Sequence, residues 1–314
     1  MDFIYAVAGL VLLLVAGDML VRGAVNLSLR LGIPALIVSL TVVAFGTSAP
    51  ELLVSVSAIF DGVPGLALGN VIGSNTANVL LVLGVPALIS TLHVIDNSTR
   101  ASYLQMIGAS VVFILLAFRG QFDWISGIVL LAALFSMIGY AIYQARCHRV
   151  AQREVEEEEV EGADPDMPWT KIIGFLIAGL IGLPLGANIL VESSTNIARA
   201  FGVSETVIGL TLVALGTSLP ELATTVMAAL RKQADVAFGN VIGSNMFNLL
   251  GIIGVSSLVG TLPVDPELLR FDIWVMFGAS VLLGLFVLKR IDITRLWGIV
   301  LSALYVLYVL AVLS

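Results

Sequence analysis

The sequence predicts an all-α integral membrane protein of ten transmembrane helices, arranged as two five-helix repeats of inverted topology. Three observations predict it: the composition, the number of apolar runs, and a pair of motifs that occurs twice. The chain of 314 residues is 59% hydrophobic and 12% charged, with a mean hydropathy of +1.05. Because soluble domains carry about 25% charged residues, this composition indicates a protein that lies in a bilayer.

The apolar runs are long enough to cross a membrane. Each crossing needs about 20 mostly apolar residues, and runs of that kind predict about ten spans. The first ten residues carry Asp2 and no Lys or Arg, so they lack the basic flank of a cleavable signal peptide, and the first helix is expected to remain. The predicted spans lie near 3–21, 33–59, 66–90, 102–119, 124–143, 171–190, 203–230, 236–261, 271–289 and 294–313.

One strongly charged segment separates two halves of five predicted spans each. The halves are residues 1–143 and 171–314, and the charged linker is 144–170. Within this linker, the acidic run from Glu154 to Glu161 is interpreted as a solvated connection rather than a cation-sensing patch, because blocks of like charge are usually solvated.

The basic residues predict the orientation of the chain. Lys and Arg in short loops mark the cytoplasmic side of a membrane protein. With the N-terminus outside, only Arg119, Arg199 and Arg270 of the 15 basic residues fall outside. We therefore predict a multi-pass protein with an external N-terminus and a cytoplasmic linker. The compact linker and the net charge of −7 indicate a prokaryotic plasma-membrane protein.

Two motifs occur in each half, in the same order. The segment TVVAFGTSAPELLVSV at 41–56 matches TLVALGTSLPELATTV at 211–226, and GNVIGSNTANVLLVLG at 69–84 matches GNVIGSNMFNLLGIIG at 239–254. Both pairs are separated by 170 residues, which indicates an internal duplication. Because each half has an odd number of predicted spans, the second copy enters the membrane from the opposite side. Inverted repeats of this kind place the substrate site at the membrane midplane.

A glutamate follows a proline in each first motif, at Glu51 and at Glu221. A charged residue at the bilayer centre costs about 2.5–3.5 kcal/mol and marks a functional site by default. Proline has no N–H, and its ring clashes with the carbonyl four residues earlier. We therefore expect freed carbonyl oxygens near residues 44–46 and 214–216, where a broken helix lines a cavity.

Hydroxyl and amide side chains accompany the two carboxylates. Each glutamate shares a helix face with the residues three and four positions before it, and the next predicted helix of each half carries a Ser and an Asn four residues apart. These residues are Thr47, Ser48, Ser74 and Asn78 in the first half and Thr217, Ser218, Ser244 and Asn248 in the second. All of them bind through oxygen, which favours a hard cation such as Ca²⁺ or Na⁺.

Other residues near the motifs have different expected roles. Asn75 and Asn245 lie on another helix face and are interpreted as structural, whereas the role of Asn70 and Asn240 stays open. Asp18, near the end of the first predicted helix, is interpreted as a solvated or snorkelling group. Small residues let membrane helices approach closely. This role is expected for Gly69, Gly73, Gly239 and Gly243.

At these motifs the sequence resembles the cation/calcium exchanger superfamily, and within it the sodium/calcium exchangers, whose signatures are GTSAPE or GTSLPE followed by GNVIGSN. The resemblance covers essentially the whole chain. It implies a secondary antiporter that exchanges Na⁺ for Ca²⁺ by alternating access. Glu51 and Glu221 are then the central Ca²⁺ ligands, with the backbone carbonyls of Thr47 and Thr217.

The resemblance also implies two symmetric groups of Na⁺ ligands, so that Na⁺ and Ca²⁺ compete for the glutamates. One group is Ala44, Thr47, Ser48 and Ser244 with Glu221, and the other is Ala214, Thr217, Ser218 and Ser74 with Glu51. The expected partners are Ca²⁺, Na⁺ and membrane lipid. No cofactor, nucleic acid or obligate protein partner is expected.

Two fixed negative charges predict an electrogenic exchange. One Ca²⁺ cancels Glu51 and Glu221, whereas three Na⁺ leave the loaded site at +1. Moving one charge through 100 mV is worth about 2.3 kcal/mol, so the membrane voltage would also drive the exchange. Some family members carry Asp where this chain has Asn248, which puts K⁺ co-transport in doubt.

Three other functions compete with this prediction. Exchange of H⁺ for Ca²⁺ is the alternative within the superfamily, although proton/calcium exchangers tend to carry a Glu after GNA, where this chain reads GNVIGSN. A channel fits less well, because inverted repeats around a few buried ligands suit a carrier. An intramembrane enzyme is disfavoured, because His93 and His148 fall in predicted loops and the chain has no H-E-x-x-H motif.

Overall fold

The computed structural model describes residues 1–94, 97–151, 164, 167–202 and 214–313. These residues fold almost entirely into helices. The described β-structure includes one antiparallel pair of two-residue strands, β1 at Gln121–Phe122 and β2 at Leu262–Pro263. This pair joins a loop of the first half to a loop of the second.

The described residues of the first half form seven helical segments, the last of which continues into the predicted linker. The second segment includes a π-helical turn at Ser39–Val43. The segments are α1 (Asp2–Leu31), α2 (Ala35–Thr47), α3 (Ala49–Phe60), α4 (Pro64–Leu80), α5 (Gly84–Ile89), α6 (Asn97–Ala117) and α7 (Trp124–Ala151).

The described residues of the second half also form seven helical segments. A π-helical turn at Phe247–Ile252 joins the fourth segment to the fifth, and another at Leu268–Asp272 leads into the sixth. The segments are α8 (Trp169–Ala200), α9 (Ala214–Gly216), α10 (Leu219–Leu230), α11 (Ala234–Met246), α12 (Ile253–Val259), α13 (Ile273–Lys289) and α14 (Arg295–Leu313).

Eight spans in the described part of the chain are long and apolar enough to cross a bilayer. The count rises to nine when α2 and α3, which are bent by 42°, form one broken span. The predicted span 203–230 begins with residues 203–213, which lie outside the described residues, so the total of ten stays a prediction. Most of the predicted linker, at 152–163 and 165–166, also lies outside them.

The first helix is longer than the sequence predicted. It was expected to end near residue 21, but α1 continues to Leu31 and ends at Gly32, whose φ of 63° stops the helix. Two polar side chains of this extension bond to the backbone of the same helix: Asn26 Nδ2 donates to the Arg22 carbonyl at 2.8 Å, and Ser28 Oγ donates to the Val25 carbonyl at 2.7 Å. Arg30 instead reaches across the molecule and donates to the Met167 carbonyl at 2.8 Å. Polarity alone therefore does not end this helix.

The first helices of the two halves are in direct backbone contact. A Cβ on Gly9 of α1 would lie 2.7 Å from the Leu190 nitrogen of α8, and a Cβ on Gly186 would lie 2.9 Å from the Leu13 nitrogen. Their apolar side chains form a buried cluster separate from the main core. This cluster also includes Val38 and Val43 of α2 and Ala223 of α10, so the α1–α8 pair packs against the helices that carry the first motif of each half.

Two glycines place α11 against α2. A Cβ on Gly239 would lie 2.7 Å from the Leu36 carbonyl oxygen, and a Cβ on Gly243 would overlap the Leu40 carbonyl oxygen. Ser39 Oγ also donates to the Val236 carbonyl at 2.7 Å. The predicted close approach is confirmed for these two glycines and is wrong for Gly69 and Gly73, where a Cβ would meet no described atom within 4 Å. At Gly239 and Gly243 it brings the second motif of one half against the first motif of the other.

The interpretation of Asp18 as a solvated group is wrong. Its side chain is 20% exposed and forms ion pairs with Arg22, at 2.9 Å, and with Arg231 at the end of α10. Because a largely buried carboxylate needs a partner, these two arginines explain why α1 can carry an acid at this depth.

Candidate cation site

Both glutamates occupy the first turn of a helix that begins at a break. The chain leaves helical geometry at Ser48 (φ −85°, ψ 7°) and again at Ser218 (φ −86°, ψ 1°), and α3 and α10 begin immediately afterwards. The prolines lie in the first turn, where their missing N–H costs no helical hydrogen bond. Glu51 is 1% exposed and Glu221 is fully buried.

The two broken segments meet each other. Ser48 Oγ donates a hydrogen bond to Glu221 Oε1 at 3.0 Å, which joins the first motif of one half to the carboxylate of the other. Thr47 Oγ1 donates to Asn240 Oδ1 at 3.2 Å and lies 3.5 Å from Ser244 Oγ. Residues almost 200 positions apart in sequence therefore face one another.

Most of the buried polar atoms without a hydrogen-bond partner belong to predicted ligands. Within the described residues, nine buried side-chain nitrogen or oxygen atoms lack a partner, and six of them are oxygens of residues predicted to bind the ion. Unpaired buried polar groups are costly and need an explanation. The six atoms are Glu51 Oε1 and Oε2, Glu221 Oε2, Ser218 Oγ, Asn78 Oδ1 and Asn248 Oδ1.

Asn70 and Asn240 form hydrogen bonds with the backbone carbonyls of the two glutamates. Asn240 Nδ2 donates to the Glu221 carbonyl at 3.3 Å and to Thr225 Oγ1 at 3.2 Å. Asn70 Nδ2 makes the equivalent bonds, at 3.4 Å each, to the Glu51 carbonyl and to Ser55 Oγ. The sequence left their role open. Their repetition at the same offset was the signal that could have identified them.

The amide oxygens of this pair complete the symmetry. Asn240 Oδ1 accepts from Thr47, and Asn70 Oδ1 accepts from Thr217 Oγ1 at 3.4 Å. Each asparagine thus ties the threonine of one half to the glutamate backbone of the other. The arrangement fixes the relative position of the two broken helices.

The prediction that proline leaves backbone carbonyl oxygens without hydrogen bonds needs a correction. The Ala44 carbonyl was expected to be free, but it accepts the Ser48 N–H at 3.1 Å and the Thr47 hydroxyl at 3.3 Å. The helix is interrupted only at Ser48, so the Ala44 carbonyl still accepts its helical hydrogen bond. The corresponding Ala214 lies in α9, at the edge of the described residues.

The remaining predicted ligands lie near the same place. Ser74 and Ser244 are buried on α4 and α11, one helix turn before Asn78 and Asn248. Thr217 is half-buried. Among the described residues no group of three His, Cys, Asp or Glu side chains could hold a metal. The site therefore offers two carboxylates and neutral oxygens, which is chemistry for hard cations.

Ser48 and Ser218 occupy equivalent positions but have different contacts, so their alanine variants should differ. We expect Ser48→Ala to lower the free energy of unfolding by about 1 kcal/mol, because it removes a buried hydrogen bond. Ser218→Ala should change it less, because the Ser218 hydroxyl has no partner within the described residues. Chemical unfolding in detergent without Na⁺ or Ca²⁺ measures both. Equal losses would contradict the asymmetry.

Comparisons with known proteins agree with this geometry. The family model described as sodium/calcium exchanger protein matches residues 1–143 and 171–314. The sodium/calcium exchanger MaX1 of Methanosarcina acetivorans is 33% identical over 346 residues, with 98% of this chain and 97% of the relative covered. The putative antiporter CaxA of Alkalimonas amylolytica is 33% identical, with 93% and 92% covered.

A solved structure matches along the whole chain. It is that of the sodium-calcium exchanger NCX_Mj soaked with Na⁺ and Sr²⁺, with a TM-score of 0.83, 34% identity, and coverage of 100% of this chain and 98% of that one. The matched proteins are membrane antiporters. The chain therefore belongs to the sodium/calcium exchanger family of the Ca²⁺:cation antiporter superfamily and is a cation/Ca²⁺ antiporter, not an enzyme.

Proposed function

We propose that the protein exchanges Na⁺ for Ca²⁺ through the site around Glu51 and Glu221. The observation that carries the proposal is the group of six buried oxygens without a hydrogen-bond partner in the described part of the chain, which come from both halves. A cation bound among them would supply the missing interactions. Five of the six belong to the carboxyl and amide groups that Ca²⁺ prefers.

The remaining predicted ligands complete the proposal. Ca²⁺ takes six to eight oxygens, including backbone carbonyls, so two glutamates alone are too few. Thr47 and Thr217 would add their carbonyls to the Ca²⁺ position. Hydroxyl and carbonyl oxygens around each glutamate would bind Na⁺, from Ser48 and Ser244 on one side and from Ala214, Ser218 and Ser74 on the other. The Ala44 carbonyl would join the first group by exchanging its hydrogen bond from the Thr47 hydroxyl for Na⁺.

Charge favours competition between the two ions. The glutamates carry two negative charges, and Asn78 and Asn248 are neutral. One Ca²⁺ would neutralise the site, whereas three Na⁺ would leave one positive charge. Because both ions need the same carboxylates, they would bind alternately. Transport would then be electrogenic, and a voltage of 100 mV would add about 2.3 kcal/mol per net charge moved.

The architecture proposed for this exchange is ten spans in two inverted repeats, residues 1–143 and 171–314. The hydrogen bonds of Asn70 and Asn240, which recur at an offset of 170 residues, support the repeat. The distribution of basic residues supports an external N-terminus and a cytoplasmic linker. The compact linker and the net charge of −7 support the plasma membrane. Inverted repeats would allow the midplane site to open to either side in turn.

Uptake of ⁴⁵Ca²⁺ into proteoliposomes tests the coupling ion. Vesicles loaded with Na⁺ should accumulate Ca²⁺, whereas vesicles loaded with K⁺ should not. An inside-positive potential, imposed with K⁺ and valinomycin, should speed this uptake, because each cycle would carry one net positive charge out, down the electrical gradient. Uptake driven by an acidic interior without Na⁺ would instead establish H⁺/Ca²⁺ exchange. An uptake rate that does not change with the membrane potential would exclude the exchange of three Na⁺ for one Ca²⁺.

A further inference from the structure

Four asparagines form a hydrogen-bonded cluster, with Asn75 and Asn78 on α4, Asn245 on α11 and Asn248 on the π-helical turn that follows α11. Asn75 Nδ2 donates to the Asn245 carbonyl at 3.1 Å, and Asn245 Nδ2 donates to the Asn75 carbonyl at 3.4 Å. Asn248 Nδ2 donates to Asn75 Oδ1 at 3.0 Å, and Asn78 Nδ2 donates to Asn245 Oδ1 at 3.0 Å. All four side chains are at most 1% exposed.

The backbone determines which way each amide points. A backbone carbonyl can only accept a hydrogen bond, so the group of Asn75 that faces the Asn245 carbonyl must be its NH₂. The Oδ1 of Asn75 is thereby fixed on the opposite side, where it can only accept. Asn248 must then turn its own NH₂ toward Asn75. The same reasoning, with the halves exchanged, fixes Asn245 and Asn78.

The bonds between Asn75 and Asn248 and between Asn245 and Asn78 each orient an amide oxygen of the candidate site. Because the NH₂ groups of Asn78 and Asn248 are used inside the cluster, their Oδ1 atoms point elsewhere, and both are buried without a partner among the described residues. A reversed amide would present N–H hydrogens, which carry partial positive charge and repel a cation. It would also bring two acceptor oxygens together inside the cluster.

We propose that Asn75 and Asn245 are positioning residues of the cation site, each of which holds the inner asparagine of the other half with its oxygen toward the ion. Asn75 acts through Asn248, and Asn245 acts through Asn78. The pairing crosses between the halves, although Asn75 is closer in sequence to Asn78. This inference rests on the proposed function, in which Ca²⁺ is the ion that the Asn78 and Asn248 oxygens bind.

A double-mutant cycle tests the crossed pairing. Calorimetric titration of the purified full-length protein with Ca²⁺, without Na⁺, gives the affinity of each variant. Asn75→Ser should weaken Ca²⁺ binding by about 10-fold, the lower end of the range for residues that orient a metal ligand. In an Asn248→Ala background the same substitution should cause no further loss, whereas in an Asn78→Ala background it should cause the full loss.

The reciprocal cycle gives an independent test if a variant fails to fold. Asn245→Ser should weaken binding in an Asn248→Ala background but not in an Asn78→Ala background. Equal losses in both backgrounds would indicate a general structural role and overturn the proposal, as would an Asn248→Ala variant with unchanged affinity. A wild-type protein that binds no Ca²⁺ would instead refute the proposed function itself, so the two failures are distinguishable.

Discussion

Replacement of either buried glutamate by glutamine should abolish Ca²⁺ uptake while leaving a folded protein. Residues that only orient a metal ligand cost about 10- to 100-fold in affinity, so we expect Glu51→Gln and Glu221→Gln to lower ⁴⁵Ca²⁺ uptake by more than about 100-fold. Folding should be retained in Glu51→Gln, because neither carboxylate oxygen of Glu51 has a hydrogen-bond partner in the described structure. Glutamine also keeps the shape of the side chain.

The matched control is Glu192→Gln, because Glu192 lies on α8 with an exposed side chain and undergoes the same chemical change. Uptake by this variant should equal that of the wild type. Thermal unfolding in detergent confirms that each protein is folded. Undiminished uptake in either site variant would place the cation elsewhere, and a loss in all three would indicate an effect of total charge.

A single methyl group at Gly243 should destabilise the protein. The Cβ of Gly243→Ala would overlap the Leu40 carbonyl oxygen and lie 2.7 Å from the Ala44 Cβ. Both neighbours belong to α2, so α11 must move away from it. Overpacking of this kind costs about 1–3 kcal/mol. Because Ser244 follows Gly243 directly, the displacement should also lower Ca²⁺ affinity.

Gly278→Ala on α13 provides the control, because a Cβ there would meet no described atom within 4 Å. In a helix this change should be neutral or stabilising, by up to about 1 kcal/mol. The unfolding temperature in detergent and the Ca²⁺ affinity should therefore fall for Gly243→Ala only. If the two variants unfold at the same temperature, the close contact between α2 and α11 does not limit stability.

The sequence was sufficient to predict the membrane class and displays the repeated motifs, because both depend on patterns that packing does not alter. The inverted repeat built on these motifs stays a prediction. An apolar run can be recognised without knowing which helices pack against it, and the repeated motifs can be found by comparing the sequence with itself. The end of α1 was harder to predict. Asn26 and Ser28 read as the end of an apolar run, yet their hydrogen bonds to the backbone of the same helix let them stay inside it.

The candidate site was partly predictable for the same reason. The motif grouped the glutamates with the hydroxyls, but the expected shared helix face is wrong, because the helix is interrupted at Ser48 and Ser218. The Ser48 hydroxyl instead contacts the glutamate of the other half. The contacts of Asn70 and Asn240 could not be predicted, because their partners lie on other helices. The ion pair of Asp18 with Arg231 joins residues 213 positions apart, and no periodicity within one helix reports such a contact.

The crossed asparagine bonds bear on the history of the duplication. Neither half can complete them alone, because the partner of each outer asparagine belongs to the other half. An ancestor with a single copy of the repeat would have buried these amides unpaired unless two copies associated. Joining two copies in one chain would then have preserved an existing dimer contact, and later substitutions at one asparagine would have been constrained by its counterpart in the other half.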